Sequence, residues 1–404
     1  MASTTIAPSA SADMSRSVRL EGLTKSFGDD RVLKGIDLEI LPEELLVLLG
    51  PSGCGKTTTL NLIAGVEEID SGRIFFGSEE VTKVPPERRD VAMVFQSVGL
   101  YPHLDVYHNI VFPLRLRKVP QAVIEERVTV TTELLGIKHL LKRRIHAVSG
   151  GERQRVAIAK ALVKRPRVFL LDEPFSNLDA EIRRQLRGEL VRIQGELRTT
   201  MVFVTHDQEE AMSIGNRIVV MNQGSIVQLG TPLDIYKWPV NLWAARFVGN
   251  HPINVLPMLI EGGRVVLDGQ SRFDLGPAAC LAGSNLLADG KGTLGLRPEA
   301  ISLVEASKGE DAVPTAVVLI RQLLGSSILY DLELLNGIIV RALAPSASEH
   351  TVGERVRLVI DWDQARLFAS DTSKLLTPAK HSPDTLSVSR AVPLEGISSR
   401  IIAG

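Results

Sequence analysis

Residues 44–66 read ELLVLLGPSGCGKTTTLNLIAGV. Leu45 to Leu49 are apolar without alternation, which predicts a strand buried on both faces. The next eight residues, Gly50-Pro51-Ser52-Gly53-Cys54-Gly55-Lys56-Thr57, fit G-x-x-x-x-G-K-[ST], and a helical pattern follows from Thr58. Strand, glycine-rich loop and helix in that order make a phosphate cradle. Gly50, Gly53 and Gly55 let backbone N–H groups close around phosphates, Lys56 reaches the β- and γ-phosphates, and the Thr57 hydroxyl ligates Mg²⁺. Pro51, Ser52, Cys54 and Thr58 complete the loop around the nucleotide. Cys54 lies beside Lys56 at a helix N-terminus, and both favour thiolate, so the sequence predicts a reactive thiol.

From about 17 to 250, short apolar runs alternate with helical patterns, which predicts an α/β domain on a largely parallel sheet. The runs RVFLLDE (167–173) and MVFVTHD (201–207) end in polar residues, as ELLVLLG does, and ligands of open α/β sheets collect at that edge. Asp172 is suited to hold Mg²⁺ through water, and Glu173 to take a proton from the attacking water. Alone, a strand-end Asp-Glu reads equally as a solvated loop; the phosphate loop gives it meaning. His206 ends MVFVTH within reach of a γ-phosphate or the attacking water, although a lone strand-end histidine also serves structural roles. Gln96 ends VAMVFQ, where its amide touches Mg²⁺ or the water. Phe27 either stacks on adenine or fills the core as an ordinary aromatic.

A second anion site follows at 146–162, HAVSGGERQRVAIAKAL, where Ser149, Gly150 and Gly151 open an amphipathic helix and aim N–H groups outward. Helical periodicity interrupted at Pro113 and Pro120 marks an inserted helical subdomain at about 101–160. After 250 the pattern turns to short alternating runs. Asn336-Gly337 inside LELLNGIIVRAL is a strong type I′ hairpin signal and Gly262-Gly263 inside LIEGGRVVL a weaker one. Residues 251–370 therefore read as an all-β domain of the OB kind. Residues 1–16 and 371–404 read as flexible tails, with Met14 a second plausible start of translation.

A chain of 404 residues exceeds the size of most single cores, in keeping with two domains. The formal net charge of −1 gives no reason to expect nucleic acid as partner. Cys54 and Cys280 are the only cysteines, too few for a disulfide scaffold or a zinc cluster. No apolar run is long enough to span a bilayer, and MASTTIAPSASAD is no secretory signal.

With GPSGCGKTT, VFQS, VSGGERQR, VFLLDEPFSNLD and VTHD in that order, residues 17–250 resemble the ATPase subunit of an ATP-binding cassette (ABC) transporter. The resemblance makes Gly50 to Thr57 the Walker A loop, Gln96 the Q-loop and Val148 to Glu152 the signature motif. It makes Asp172 the Walker B acid, Glu173 the catalytic glutamate, Asn177 to Asp179 part of the D-loop, His206 the switch histidine and Phe27 the A-loop aromatic. It further implies a head-to-tail homodimer in which Ser149, Gly150 and Gly151 close on the ATP held by the partner's Walker A loop. Val148 and Glu152 depart from the usual Leu and Gln. Glu152 retains a ribose acceptor yet adds negative charge that opposes closure.

TPLDIYKWPVNLWAARFVGN, INVLP, GLRPEAI and LLGSSILYDLEL are similar to importers whose ATPase carries a C-terminal regulatory β-domain, especially the carbohydrate importers of the maltose and glycerol-phosphate kind. Polyamine, sulfate and ferric importers share the layout. The segment LYPHLDVYHN (100–109) resembles the surface on which the permease coupling helix docks, with Asp105 as N-cap. The implied protein is an ATP- and Mg²⁺-dependent ATPase on the cytoplasmic face of the cell membrane, bound to two separate permease subunits and served indirectly by a solute-binding protein. The alternative of a soluble ABC protein acting on ribosomes or DNA calls for tandem cassettes or long coiled-coil heptads, which the chain lacks.

Overall fold

A computed structural model describes residues 14–267, 273–277, 290–305 and 315–376. Cys280, residues 1–13 and all but the first six residues of the expected C-terminal tail lie outside the described residues. The described chain divides into two compact units between Pro232 and Leu233.

In the first unit β1 (Val18–Phe27), β2 (Asp30–Ile40), β4 (Ser71–Phe76) and β5 (Glu79–Glu80) form an antiparallel sheet in the order β2-β1-β4-β5. A second sheet contains β3 (Leu45–Leu49), β6 (Val91–Val94), β7 (Val168–Asp172), β8 (Thr200–Thr205), β9 (Arg217–Asn222) and β10 (Ser225–Gly230), in the order β10-β9-β3-β8-β7-β6. All but the β10–β9 pair are parallel. Every residue of β3, β7 and β8 is buried, the physical meaning of their unbroken apolar runs. Leu46, Leu48, Leu170 and Val202 of this sheet share a core with Leu20, Ile36 and Ile74 of the other, and with Leu60 and Ile63 of α1 (Lys56–Ala64).

At the opposite end from the phosphate loop, Arg217 grips Glu44 through Nε–Oε1 (2.6 Å) and Nη2–Oε2 (2.8 Å), with both side chains buried. The pair ties the start of β9 to the start of β3. Removing either partner would strand a buried charge, at a cost of about 3–5 kcal/mol.

The expected helical insertion consists of α2 (Val106–Leu116), α3 (Gln121–Leu134) and α4 (Gly150–Leu162). Asp105 caps α2 by accepting from His108 N at 2.7 Å. Pro120 stands at the N-cap of α3, but Pro113 lies inside α2 and does not break it. One amide donor is lost there, while Val106, Ile110, Val111 and Leu114 stay buried on the same helix. Two further helices, α5 (Ala180–Leu197) and α6 (Gln208–Ile214), follow β7 and β8.

After α7 (Pro232–Lys237) and α8 (Leu242–Phe247) the second unit is β-structure. One sheet has β11 (Asn254–Glu261), β12 (Arg264–Leu267), β13 (Phe273–Pro277), β14 (Lys291–Leu296) and β20 (Arg366–Ala369), in the order β13-β12-β11-β14-β20. The other has β15 (Ile301–Glu305), β16 (Thr315–Leu323), β17 (Ser327–Leu334), β18 (Ile339–Pro345) and β19 (Arg355–Ile360), in the order β15-β19-β16-β17-β18. All pairs are antiparallel and the two sheets share one core, as an OB-like domain requires.

The sequence places a domain edge at 250, whereas α8 groups with the later unit: Ala245 packs with Ile253 and Phe368. Chain pairing also runs past 370, with bridges Asn241–Lys374 and Phe368–Leu375. The two hairpin signals exchange roles. Gly262 and Gly263 both have positive φ (56° and 76°) and directly join Glu261 to Arg264, the two-residue geometry of a type I′ turn. At Asn336-Gly337 only the glycine has positive φ, and Leu334 N donates to Ile338 O at 2.8 Å, leaving three residues in the loop. Asn336 is buried, and its Oδ1 accepts from Ile338 N at 3.2 Å, which holds the wider turn.

Candidate nucleotide site

Strand order decides which side chains meet. Because β3, β8, β7 and β6 are consecutive neighbours, Gly50, His206, the Asp172-Glu173 pair and Gln96 emerge at one sheet edge. Gly50 follows β3, His206 follows β8, and Gln96 lies two residues past β6.

The loop before α1 needs its glycines. A Cβ on Gly50 would lie 2.4 Å from Met221 O and 2.6 Å from Cys54 Sγ, and Gly55 has φ 103° with Leu33 Cδ2 at 2.5 Å from such a Cβ. Lys56 is buried and turns back on the loop, its Nζ donating to Gly50 O at 2.8 Å and Pro51 O at 3.0 Å. Ser52, Gly53 and Thr57 are exposed and Pro51 and Thr58 half-buried, so solvent reaches the outer face of the loop. Cys54, by contrast, is buried. Burial pushes its thiol up, and the neighbouring Lys56 only partly offsets this, so the thiolate expected from the sequence is disfavoured. The fold has sealed under the loop a side chain that looked accessible.

Thr57 Oγ1 donates to Asp172 Oδ1 at 2.9 Å. Burial raises the Asp172 carboxyl above its usual range, the Thr57 bond opposes the rise, and the adjacent Glu173 adds to it. The two oxygens are hard donors of the type a small divalent cation takes. Glu173 leaves β7 with φ 42°, a left-handed conformation that costs a side-chain-bearing residue roughly 1–2 kcal/mol. Its N–H donates to Val204 O at 3.0 Å, and its Oε1 lies 2.9 Å from His206 Nδ1. The strained turn thus aims the carboxylate at the end of the next strand. Beside it, a cavity of about 400 Å³ is lined by Phe95, Gln96, Ser97, Asp172 and Asn177. Phe95 and Ser97 carried no sequence signal beyond adjacency to Gln96.

Phe27 closes β1 with 49% exposure, and Lys25 Nζ sits 4.9 Å from its ring centroid. The core-aromatic alternative is therefore excluded. Ser149 caps α4 in a reciprocal capping box: Glu152 N donates to Ser149 Oγ at 3.3 Å, and Ser149 N to Glu152 Oε2 at 2.7 Å. That backbone donor holds the Glu152 carboxyl below its usual range. A Cβ on Gly151 would meet Ile182 Cγ2 at 2.8 Å, so close packing of α4 on α5 requires glycine there. Ser149, Gly150, Gly151 and Glu152 do not line the cavity with Gln96 and Asp172.

Residues 33–176 match the family described as ABC transporter, and residues 294–368 match the TOBE domain. The trehalose/maltose import ATP-binding protein MalK of Thermococcus litoralis is 42% identical over 371 residues, covering 89% of this chain and 99% of MalK. The sulfoquinovosyl glycerol transport ATP-binding protein SmoE of Agrobacterium fabrum is 41% identical over 360 residues, 89% of this chain and 99% of SmoE. The sn-glycerol-3-phosphate import ATP-binding protein UgpC of Psychromonas ingrahamii is 41% identical, covering 88% and 94%. Among solved structures, cbiO1 from Clostridium perfringens, part of the ABC transporter complex cbiONQ, aligns with a TM-score of 0.50 at 31% identity over 54% of this chain and 89% of that one. Matched along almost the full length of such relatives, and carrying both family regions in order, the chain belongs to the ATP-binding proteins of the ABC transporter family.

Proposed function

We propose that this protein hydrolyses ATP to drive uptake of a sugar or polyol through separate membrane-spanning permease subunits. The observation that carries the proposal is the convergence, at one sheet edge, of the Thr57–Asp172 contact, the Glu173–His206 contact and the Gln96 cavity. In this reading Lys56 exchanges the Gly50 and Pro51 carbonyls for β- and γ-phosphate oxygens, and Phe27 stacks on adenine. Thr57, Asp172 and Gln96 would hold Mg²⁺, whose positive charge would offset the negative charge of the phosphates. Among the described residues no cluster of three or more His, Cys, Asp or Glu forms a metal cage, and Mg²⁺ at nucleotides needs only one or two protein carboxylates.

Glu173 takes a proton from water as the water oxygen bonds to the γ-phosphorus, and the bond to the β–γ bridging oxygen breaks to release ADP. His206 Nδ1 lies against Glu173, and with both ring nitrogens protonated the imidazolium would donate through Nδ1 to Glu173 and through its other nitrogen to the γ-phosphate. Ser149, Gly150 and Gly151 act on the ATP of a second copy in a head-to-tail homodimer, with Glu152 occupied in its own cap. The protein works at the cytoplasmic face of the membrane as a peripheral subunit beside two permeases, fed indirectly by a solute-binding protein. No helix among the described residues is long and apolar enough to cross a membrane. The sugar or polyol assignment draws on the relatives MalK, SmoE and UgpC, which are import or transport ATP-binding proteins for trehalose/maltose, sulfoquinovosyl glycerol and sn-glycerol-3-phosphate.

The test is reconstitution with membrane-spanning permeases and a solute-binding protein of the sugar-importer kind. ATP-dependent sugar accumulation that Lys56→Ala abolishes is the expected result. Turnover that ignores the permeases, with no accumulation, would overturn the importer reading.

A further inference from the structure

His206 is more than half exposed, so its position depends on its chain neighbours. Both are tethered. Thr205 Oγ1 donates to the buried Glu210 Oε2 at 2.6 Å and accepts from Asp207 N at 2.9 Å. Asp207 Oδ1 caps α6 by accepting from Glu209 N (2.8 Å) and Glu210 N (3.2 Å). Its other oxygen, Oδ2, receives Arg183 Nη1 at 3.1 Å. The second arm of the same guanidinium, Nη2, donates to Leu178 O at 3.0 Å, and Arg183 Nε lies 3.8 Å from Glu210 Oε1. Leu178 directly follows Asn177, which lines the cavity with Gln96 and Asp172.

We propose that Arg183 is a positioning residue for ATP hydrolysis, its planar fork clasping the Asn177–Leu178 segment to the Asp207 that carries His206. The inference rests on the assignment of Glu173 and His206 above. A guanidinium suits the task because two donors in fixed geometry reach two partners at once, whereas an ammonium is a single point of charge. The site so clasped contains both walls that must hold still around the γ-phosphate: the cavity lip at Asn177 and the His206–Glu173 contact. Arg183 does not line the cavity with Gln96 and Asp172 and acts through these segments. One turn further along α5, Arg187 Nη2 meets Glu209 Oε1 at 2.8 Å, so the α5–α6 contact survives loss of Arg183.

The experiment measures kcat, KM for ATP and thermal stability of the full-length Arg183→Met, Arg183→Lys, Glu209→Gln and His206→Ala proteins. Displacement of catalytic groups by a fraction of an ångström to an ångström lowers rates by up to about 100-fold, so Arg183→Met should lose roughly 10- to 100-fold in kcat with KM within about twofold. Arg183→Lys should recover part of the loss, and Asp207→Asn added to Arg183→Met should lower kcat no further, because the two side chains form one contact. Glu209→Gln, which breaks only the neighbouring ion pair, should turn over like wild type. If Arg183→Met keeps kcat within about twofold, or weakens ATP binding and folding with kcat intact, the positioning role is wrong. If Arg183→Met does not fold, Arg183→Lys is judged by the same kcat criterion. His206→Ala separates the two layers: wild-type turnover there overturns the underlying assignment, while its loss beside an unaffected Arg183→Met overturns the clasp alone.

Discussion

Ser149→Ala separates a cap from a ligand. In the nucleotide-free protein the substitution removes one of the two capping-box bonds, the 3.3 Å bond to Glu152 N, while the 2.7 Å bond from the residue-149 amide to Glu152 persists. N-cap replacement by alanine costs about 0.5–2 kcal/mol, and a bond this long places Ser149 at the low end. A loss of about 0.5–1 kcal/mol in a domain of this size lowers the melting temperature by roughly 1–4 °C. The dimer proposal assigns the same hydroxyl to the γ-phosphate on the partner. A hydrogen bond to a charged group contributes about 1.5–3 kcal/mol, roughly 10- to 150-fold at each of the two sites, so ATP-driven closure of the homodimer should weaken by about 10²- to 10⁴-fold. Function therefore falls far more than stability. Thermal melts without nucleotide, beside light scattering across an ATP titration, measure both. If the melt shifts as stated but ATP-driven dimerisation and turnover hold at wild-type levels, Ser149 is a cap and nothing more.

Cys54 should resist alkylation near neutral pH and react faster as pH rises, since burial holds the thiol protonated; stoichiometric labelling within minutes at pH about 7, followed by mass spectrometry, would contradict this. Asp172 makes a pH prediction. A carboxyl raised by burial retains its proton to higher pH in the fold than in the unfolded chain, so its contribution is complete below about 3.9, the unfolded value, and is lost as pH rises through the folded value. Asp172→Asn, which can still accept from Thr57, should thus raise the melting temperature of the nucleotide-free protein at neutral pH, by less as the pH falls toward 4. A lower melting temperature at neutral pH would show that the ionised carboxylate stabilises the fold.

The phosphate loop was legible because strand, glycines and helix are contiguous, and the local requirement is met within nine residues of Gly50. The convergence of Asp172, Glu173 and His206 was legible more weakly, from polar residues at the ends of buried runs. Their adjacency, however, comes from strand order, which long-range pairing sets and no short window contains. The same holds for the Arg183–Asp207 clasp and the buried Glu44–Arg217 pair, whose members are far apart in sequence. Cys54 misled because its neighbours in sequence favour thiolate while its neighbours in space exclude water. At Asn336-Gly337 a hairpin dipeptide made a wider turn because the asparagine side chain is buried and bonded locally, a tertiary preference that outweighs turn propensity.

Glu173→Gln tests the central claim most directly, because glutamine keeps the reach of the side chain and can hydrogen-bond His206 Nδ1 in either tautomer, yet cannot serve as a base. A positioned general base contributes about 10²–10⁴ in rate, so turnover should fall by that order while ATP affinity stays near wild type. With a negative charge removed from beside the γ-phosphate and ATP no longer consumed, the variant should accumulate as an ATP-dependent dimer on size-exclusion chromatography. Wild-type turnover would show that Glu173 is not the base, and loss of turnover in a protein that remains monomeric at saturating ATP would contradict the head-to-tail dimer.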